Sequence, residues 1–272
     1  MKKTFSYLLL STVTVVFIAA IICCTDDPLP LPTTTGSVKL KFDNVMGAKD
    51  LKLDTDTYTN AAGEDFTVSK LNYYVSNIKL IAAAGSNFTV PQDSSYFLIR
   101  EGNVDSQQIT INHVPAGNYT GIEFVIGIDS LRSVSDASKR TGILDKDSGP
   151  TNEEAMYWDW NPGYIFLKLE GNSDSATSAN GKFYYHIGGF GGLTEKTLNN
   201  IRVAKIDFGS QTATVSQNAV TRINLKADIL KVFNGPTKLS IKENTSVMFM
   251  PFSKNIADNY MRMFSLDQIN NQ

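Results

Sequence analysis

The chain has 272 residues, 42% hydrophobic and 10% aromatic, with a formal net charge of −2 and a pI near 5.7. It is too apolar for a disordered protein and too acidic to bind by neutralising phosphates, so no nucleic-acid partner is expected. Its cysteines are the adjacent Cys23 and Cys24 and its histidines are His113 and His186, which excludes a disulfide framework, a cysteine-based zinc site and a multi-histidine cage.

The amino terminus predicts an export signal. Lys2 and Lys3 precede an apolar run, Tyr7 to Ile22, that ends in Cys23-Cys24-Thr25-Asp26-Asp27. A basic start with a short apolar stretch marks a secretory signal, and about 16 residues falls short of the ~20 that a spanning helix needs. A cysteine closing such a run resembles a bacterial lipobox, in which the cysteine is fatty-acylated and becomes the first residue. Cys24 is the favoured anchor, because it leaves Cys23 at the cleavage position, where lipidation of Cys23 would put the bulkier Ile22. Residues 1–23 are therefore expected to be a lipoprotein signal peptide. The protein is expected in the cell envelope, as an outer-membrane lipoprotein attached to the membrane by its lipid anchor. Asp26-Asp27 resembles the acidic export signal of surface lipoproteins. Residues 24–36, with PLPLPTTTG, read as an extended Pro/Thr tether.

From residue 37 the pattern is that of strands. Val38, Leu40 and Phe42 alternate with Lys39, Lys41 and Asp43, the period-two signature of a half-buried strand. Phe66 to Val68 leads into 70–81, with Leu71, Tyr73 and Val75 on one face and Tyr74, Ser76 and Ile78 on the other. Further strands are predicted at 96–99, 109–111, 119–128, 164–169, 183–187, 201–208, 221–225, 239–242 and 247–250. Ser253 is predicted to cap a helix that carries Ile256, Ala257, Tyr260, Met261 and Phe264 at helical spacing. The expected fold is one all-β domain, 37–272: an antiparallel sandwich or barrel with a short C-terminal helix and a long polar loop. No βαβ alternation and no GxGxxG supports a nucleotide-binding fold.

The loop, Ser130 to Ala155, holds Asp136, Asp145, Asp147, Glu153 and Glu154. A calcium site within 129–154 and a plain solvated acidic loop are both open; Gly149 and Pro150 break the EF-hand pattern. Both tryptophans fall in Met156-Tyr157-Trp158-Asp159-Trp160, where extended backbone puts Met156, Trp158 and Trp160 on one face. His186 shares a strand face with Lys182 and Tyr184, just before the glycine-rich run Gly188 to Gly192, which permits close backbone approach. His113, beside a turn, reads as a surface residue. With two imidazoles and no recognisable nucleophile set, no enzyme and no catalytic residue is expected. The pairs Met248/Met250 and Met261/Met263 are thioether sources that also serve as core filler.

Several separated segments together resemble the MbnP-like family of secreted bacterial proteins. They are Leu71-Asn72-Tyr73-Tyr74-Val75-Ser76-Asn77-Ile78, Pro115-Ala116-Gly117-Asn118-Tyr119, Met156-Tyr157-Trp158-Asp159-Trp160 with Gly163-Tyr164-Ile165-Phe166, His186-Ile187-Gly188-Gly189, and Ile256-Ala257-Asp258-Asn259-Tyr260. The resemblance implies a β-rich extracytoplasmic domain that binds copper, which together with the amino-terminal signal gives a lipid-anchored, copper-binding protein. In some members copper(I) is held by histidines and by a kynurenine made from tryptophan, the oxidation being done by a di-haem partner of the cytochrome c peroxidase type. Carried to this chain, His186 is the implied metal ligand, and Trp158 and Trp160 the residues modified or adjacent to a ligand; Met156 is a further candidate metal ligand, because thioethers suit copper(I). No histidine stands beside the tryptophans here; Tyr157 and Asp159 do. The alternative is a non-catalytic surface module for a protein or glycan partner, with the fold kept and the metal site lost.

Overall fold

Alternating apolar residues build two sheets that bury their facing sides. In chain order the strands are β1 (Thr35–Met46), β2 (Lys49–Asp50), β3 (Tyr58–Thr59), β4 (Asp65–Ala82), β5 (Phe88–Thr89), β6 (Tyr96–Arg100), β7 (Gln108–Pro115) and β8 (Gly117–Ile126). There follow β9 (Tyr157–Trp158), β10 (Gly163–Asn172), β11 (Lys182–Gly188), β12 (Arg202–Asp207), β13 (Ala213–Val215), β14 (Val220–Asp228), β15 (Ser246–Val247) and β16 (Phe264–Asn270). The α-helices are α1 (Ser130–Ser133), α2 (Leu230–Phe233) and α3 (Ser253–Tyr260). This computed structural model describes residues 34–146, 155–158 and 163–272. Cys24, the signal segment, most of the tether, Asp147 to Glu154 and Trp160 lie outside the described residues.

The smaller sheet runs β16-β14-β1-β2, with β7 also paired to β1. The larger runs β12-β8-β4-β10-β11-β15, and β6 pairs with β4 and β9 with β10. Most pairings are antiparallel, as expected. The main exception joins β1 to β14 in parallel over nine residue pairs, Ser37↔Val220 to Val45↔Asp228. Parallel neighbours need a crossover, so this pair ties the start of the domain to its last third.

Between the sheets lies the main core. β1 contributes Val38, Leu40 and Phe42, β14 contributes Ile223 and Leu225, and from the larger sheet come Tyr73, Val75, Phe124, Leu167 and Tyr185, all fully or almost fully buried. Phe42, Phe124 and Phe264 meet edge to face, with Phe124 and Phe264 centroids 4.9 Å apart.

Four local expectations are corrected. Ile78 joins Tyr73 and Val75 in the main core instead of facing away, because the ladder shifts register after Ser76 and Asn77 takes a left-handed φ of 51°. A bulge of this kind turns every later side chain over. Residues 239–242 form a turn, not a strand. The Glu64 carboxylate accepts there from Ile241 N at 2.6 Å, Lys242 N at 3.0 Å and Ser240 Oγ at 2.8 Å. Strand β15 ends at Val247, so Met248 and Met250 share no strand face. Finally, Ser253 is the buried first residue of α3, not its cap; its Oγ accepts from Asn200 Nδ2 at 2.8 Å. The helix stops at Tyr260, and Phe264 opens the final strand, β16.

Candidate functional site

Both faces of the larger sheet are used. On its outer face a second apolar cluster forms from Tyr74, Tyr96 and Leu98, the segment after β8 (Ile128, Leu144), and Met156, Trp158, Tyr164, Phe166 and Phe190. The polar loop folds back over the sheet and is pinned there by phenols. Tyr74 Oη donates to Ile143 O at 2.9 Å and Tyr164 Oη to Leu144 O at 2.6 Å. Burial pushes the Tyr164 phenol up to about 12, so it stays protonated and keeps donating.

His186 stands on this outer face. Strand alternation sends Tyr185 and Ile187 into the main core and leaves Tyr184 and His186 outside, half-buried. His186 Nε2 lies 2.7 Å from Oε1 of Glu170 on β10. Burial alone would raise the Glu170 carboxyl; the hydrogen bond and charge of His186, with Lys70 and Lys168, win and hold it below its ordinary 4.5. An ionised Glu170 accepts only. Nε2 is therefore the protonated nitrogen, and Nδ1, which makes no hydrogen bond to a described residue, presents its lone pair in the neutral imidazole.

Trp158 reaches the same strand. It pairs with Gly163 on β10, and its indole lies on Gly188, two residues beyond His186 and on the same face. A Cβ at Gly188 would come within 2.7 Å of Trp158 Cζ3 and would collide with the Tyr164 carbonyl. The glycine is thus required by the ring above it. Two residues of strand is about 6.6 Å, so imidazole and indole occupy adjoining positions. Phe249 packs edge-on to the indole at 6.2 Å. With Phe190, Leu193 and Thr197 these rings line a small cavity of about 160 Å³.

The other sequence-derived residues fall elsewhere. Met156 is buried in the second cluster, but lines a small recess with Tyr74, Leu98 and Arg100, towards β4 and β6 and away from β11. Met248 packs partly buried on the cluster next to Phe249, while Met261 and Met263 belong to the main core. His113 is exposed on β7 of the smaller sheet. In the polar loop, Asp129 caps α1, accepting from Arg132 N at 2.9 Å, and takes the Tyr96 hydroxyl at 2.6 Å. Among the described residues no three His, Cys, Asp or Glu side chains gather as a metal cage. No described helix is long and apolar enough to cross a membrane. Sequence reasoning missed Glu170 and Gly188 as partners of His186 and Trp158. The glycine run after His186 was the available signal for the second; for the first there was none, because register is not written locally.

Comparison with known proteins agrees with the architecture. The MbnP family model matches residues 35–250. The solved structure of MbnP from Methylosinus trichosporium is similar in fold, with a TM-score of 0.52 at 14% sequence identity, covering 86% of this chain and 98% of that one. No curated protein matches by sequence.

Proposed function

The chain belongs to the MbnP family, and on that premise we propose that it is a non-catalytic, lipid-anchored protein of the outer membrane that holds copper(I) at His186, beside Trp158. The observation that carries this is the Glu170–His186 hydrogen bond of 2.7 Å on the strand whose Gly188 seats the indole. A carboxylate that fixes one imidazole nitrogen as the donor and turns the other outward is the common outer partner of a metal-ligating histidine. A thioether is at hand from Met248, packed on the same cluster, while Met156 faces β4 and β6 instead. A donor set of one imidazole with a thioether and no carboxylate cage among the described residues suits a soft ion of low coordination number. When bound, copper(I) supplies a soft, redox-active centre next to an aromatic ring. Glu170 orients the ligand, Gly188 lets the ring approach the strand closely, and Phe249 with Phe190 keeps water from it. Trp158, with Trp160 outside the described residues, is the residue to be oxidised to kynurenine, by a di-haem peroxidase-type partner. Cys24 carries the anchor.

Titration of the full chain with copper(I) against a chromophoric competitor tests the site. Wild type is expected to bind, His186→Ala to lose binding, and Glu170→Gln to weaken it about 10- to 100-fold. Binding that survives His186→Ala overturns the assignment. Intact mass of protein from its native host reads the tryptophan oxidation, and release of Cys24→Ala protein from membranes reads the anchor.

One observation favours the second reading, a surface module for a partner. Leu193 is 72% exposed at the mouth of the Trp158 cavity, with Phe249 and Phe190 beside it. An absence of copper binding in wild type would leave this apolar mouth as the functional feature.

A further inference from the structure

Strand register places a polar row across the outer face of the larger sheet. Arg100 on β6 faces Asn72 on β4, Asn72 faces Lys168 on β10, and Lys168 faces His186 on β11. With strands about 4.8 Å apart the row spans about 14 Å. Its β6 end opens into a groove of about 610 Å³, within the range of small-molecule sites. Lys70, Asn72, Arg100 and Asn103 line it with Leu53 and Val104, and no described lining residue is a carboxylate. This groove lies two strands away from His186 and does not depend on copper.

Two groups here have donors with no taker. Asn72 is only 5% exposed, yet its side-chain amide makes no hydrogen bond to a described residue. The Arg100 Nε is buried and unpartnered, and no described carboxylate lies within ion-pair distance of its guanidinium. Nearby carboxylates are engaged elsewhere: Glu170 with His186, and Glu101 with Asn44 at 2.8 Å and Gln107 at 3.1 Å. A buried Nε–H without an acceptor is costly unless something accepts from it, and the Asn72 amide beside it is open to the same acceptor. An oxyanion accepts with charge assistance, and a guanidinium matches its planar fork.

We propose that this groove binds a small oxyanion-bearing molecule, a carboxylate or phosphate on a compact polar body. Arg100 and Asn72 donate to the oxyanion, and the body rests between Leu53 and Val104. The full chain in detergent micelles is titrated calorimetrically with glucuronate, with glucose as its neutral analogue, and with inorganic phosphate. Saturable binding of glucuronate, of phosphate or of both, with none of glucose, is the expected result; glucuronate alone identifies a carboxylate ligand, phosphate alone a phosphate. Arg100→Gln should weaken the binding about tenfold. Val104→Glu sets a negative charge at a position 66% exposed, where folding should be little affected, and should weaken it severalfold. If Arg100→Gln does not fold, Val104→Glu decides. The proposal is overturned if neither anion binds by about 10 mM, if glucose binds as well as glucuronate, or if the variants that fold bind like wild type.

Discussion

The two apolar cores of this protein are built by different means. The inter-sheet core is closed by long strands whose alternation is interrupted only locally, as at Asn77, and its aromatic rings meet edge to face across the two sheets. The outer cluster is roofed by loop and by the two-residue strand β9, held by phenol-to-carbonyl hydrogen bonds such as Tyr164 to Leu144. The first buries a few phenols, such as Tyr73, which donates to Asn44 Oδ1 at 2.8 Å, and specifies the fold. The second borders His186, Glu170, Lys168 and Arg100, and is where apolar shelter meets polar chemistry. Cores under loops open at lower free energy than those between central strands. Stability should therefore be concentrated in one core and the site in the other.

The largest effect is expected in the first core. Phe42 is fully buried and touches Tyr73, Phe124 and Phe264. Phe42→Ala should cost about 3–5 kcal/mol, with circular dichroism and tryptophan fluorescence lost together in urea. A fluorescence change that stays at the wild-type midpoint would show the two cores to be uncoupled.

Next comes Glu64, which ties the 239–242 turn to the start of β4. Its removal in Glu64→Ala leaves Ile241 N and Lys242 N without their acceptor, at about 3 kcal/mol. Burial would raise its carboxyl, but bonds from Asn60, Lys242, Ile241 and Ser240 hold it below 4.5. A folded-state value below the unfolded one means that this stabilisation is fully present above about pH 4.5. It is lost as pH falls through the folded value. Glu64→Gln should flatten the acid limb of the melting-temperature profile; an unchanged limb would remove Glu64 from the account.

A third substitution separates the cores directly. Gly188→Ala pushes a methyl against the Trp158 ring and the Tyr164 carbonyl. Overpacking of this kind costs about 1–3 kcal/mol, and here it should fall on the outer cluster. In a Trp160→Phe background, Trp158 fluorescence should respond to lower urea than the far-ultraviolet signal does. Coincident transitions would mean that the cluster unfolds with the sandwich.

How far the chain could be read from its letters follows the same division. The sandwich was legible at β1 and β8, where alternation runs without interruption, and the shared face of Lys182, Tyr184 and His186 followed from strand parity. Pairing was not legible. The parallel β1–β14 contact, the bulge at Asn77 that turns Ile78 inward, and the Arg100–Asn72–Lys168–His186 row all depend on register between distant segments. The final strand was hidden because Phe264 fits a helical period as well as a strand. Glu170 lies just past the predicted strand 164–169, and its place beside His186 is set only by the register of β10 on β11.

The smallest effect on stability should come from the pair nearest the proposed metal. Glu170 and His186 are partly exposed, at 18% and 15% of their side-chain surface, so solvent screens what they gain from each other. Glu170→Gln should cost about 0.5–1.5 kcal/mol. Because Glu170 is held below its ordinary value, the loss should be seen above about pH 4.5 and should vanish as pH falls through the folded value, where wild type is protonated as well. The same substitution replaces an acceptor-only carboxylate with an amide that can donate as well as accept, so the His186 tautomer is no longer fixed. Nitrogen chemical shifts of the His186 ring should then move from the Nε2-protonated form towards a mixture of tautomers, while melting barely changes. Were the ring shifts in Glu170→Gln identical to wild type, the carboxylate would not be orienting the imidazole, and the pair would be an ordinary surface contact.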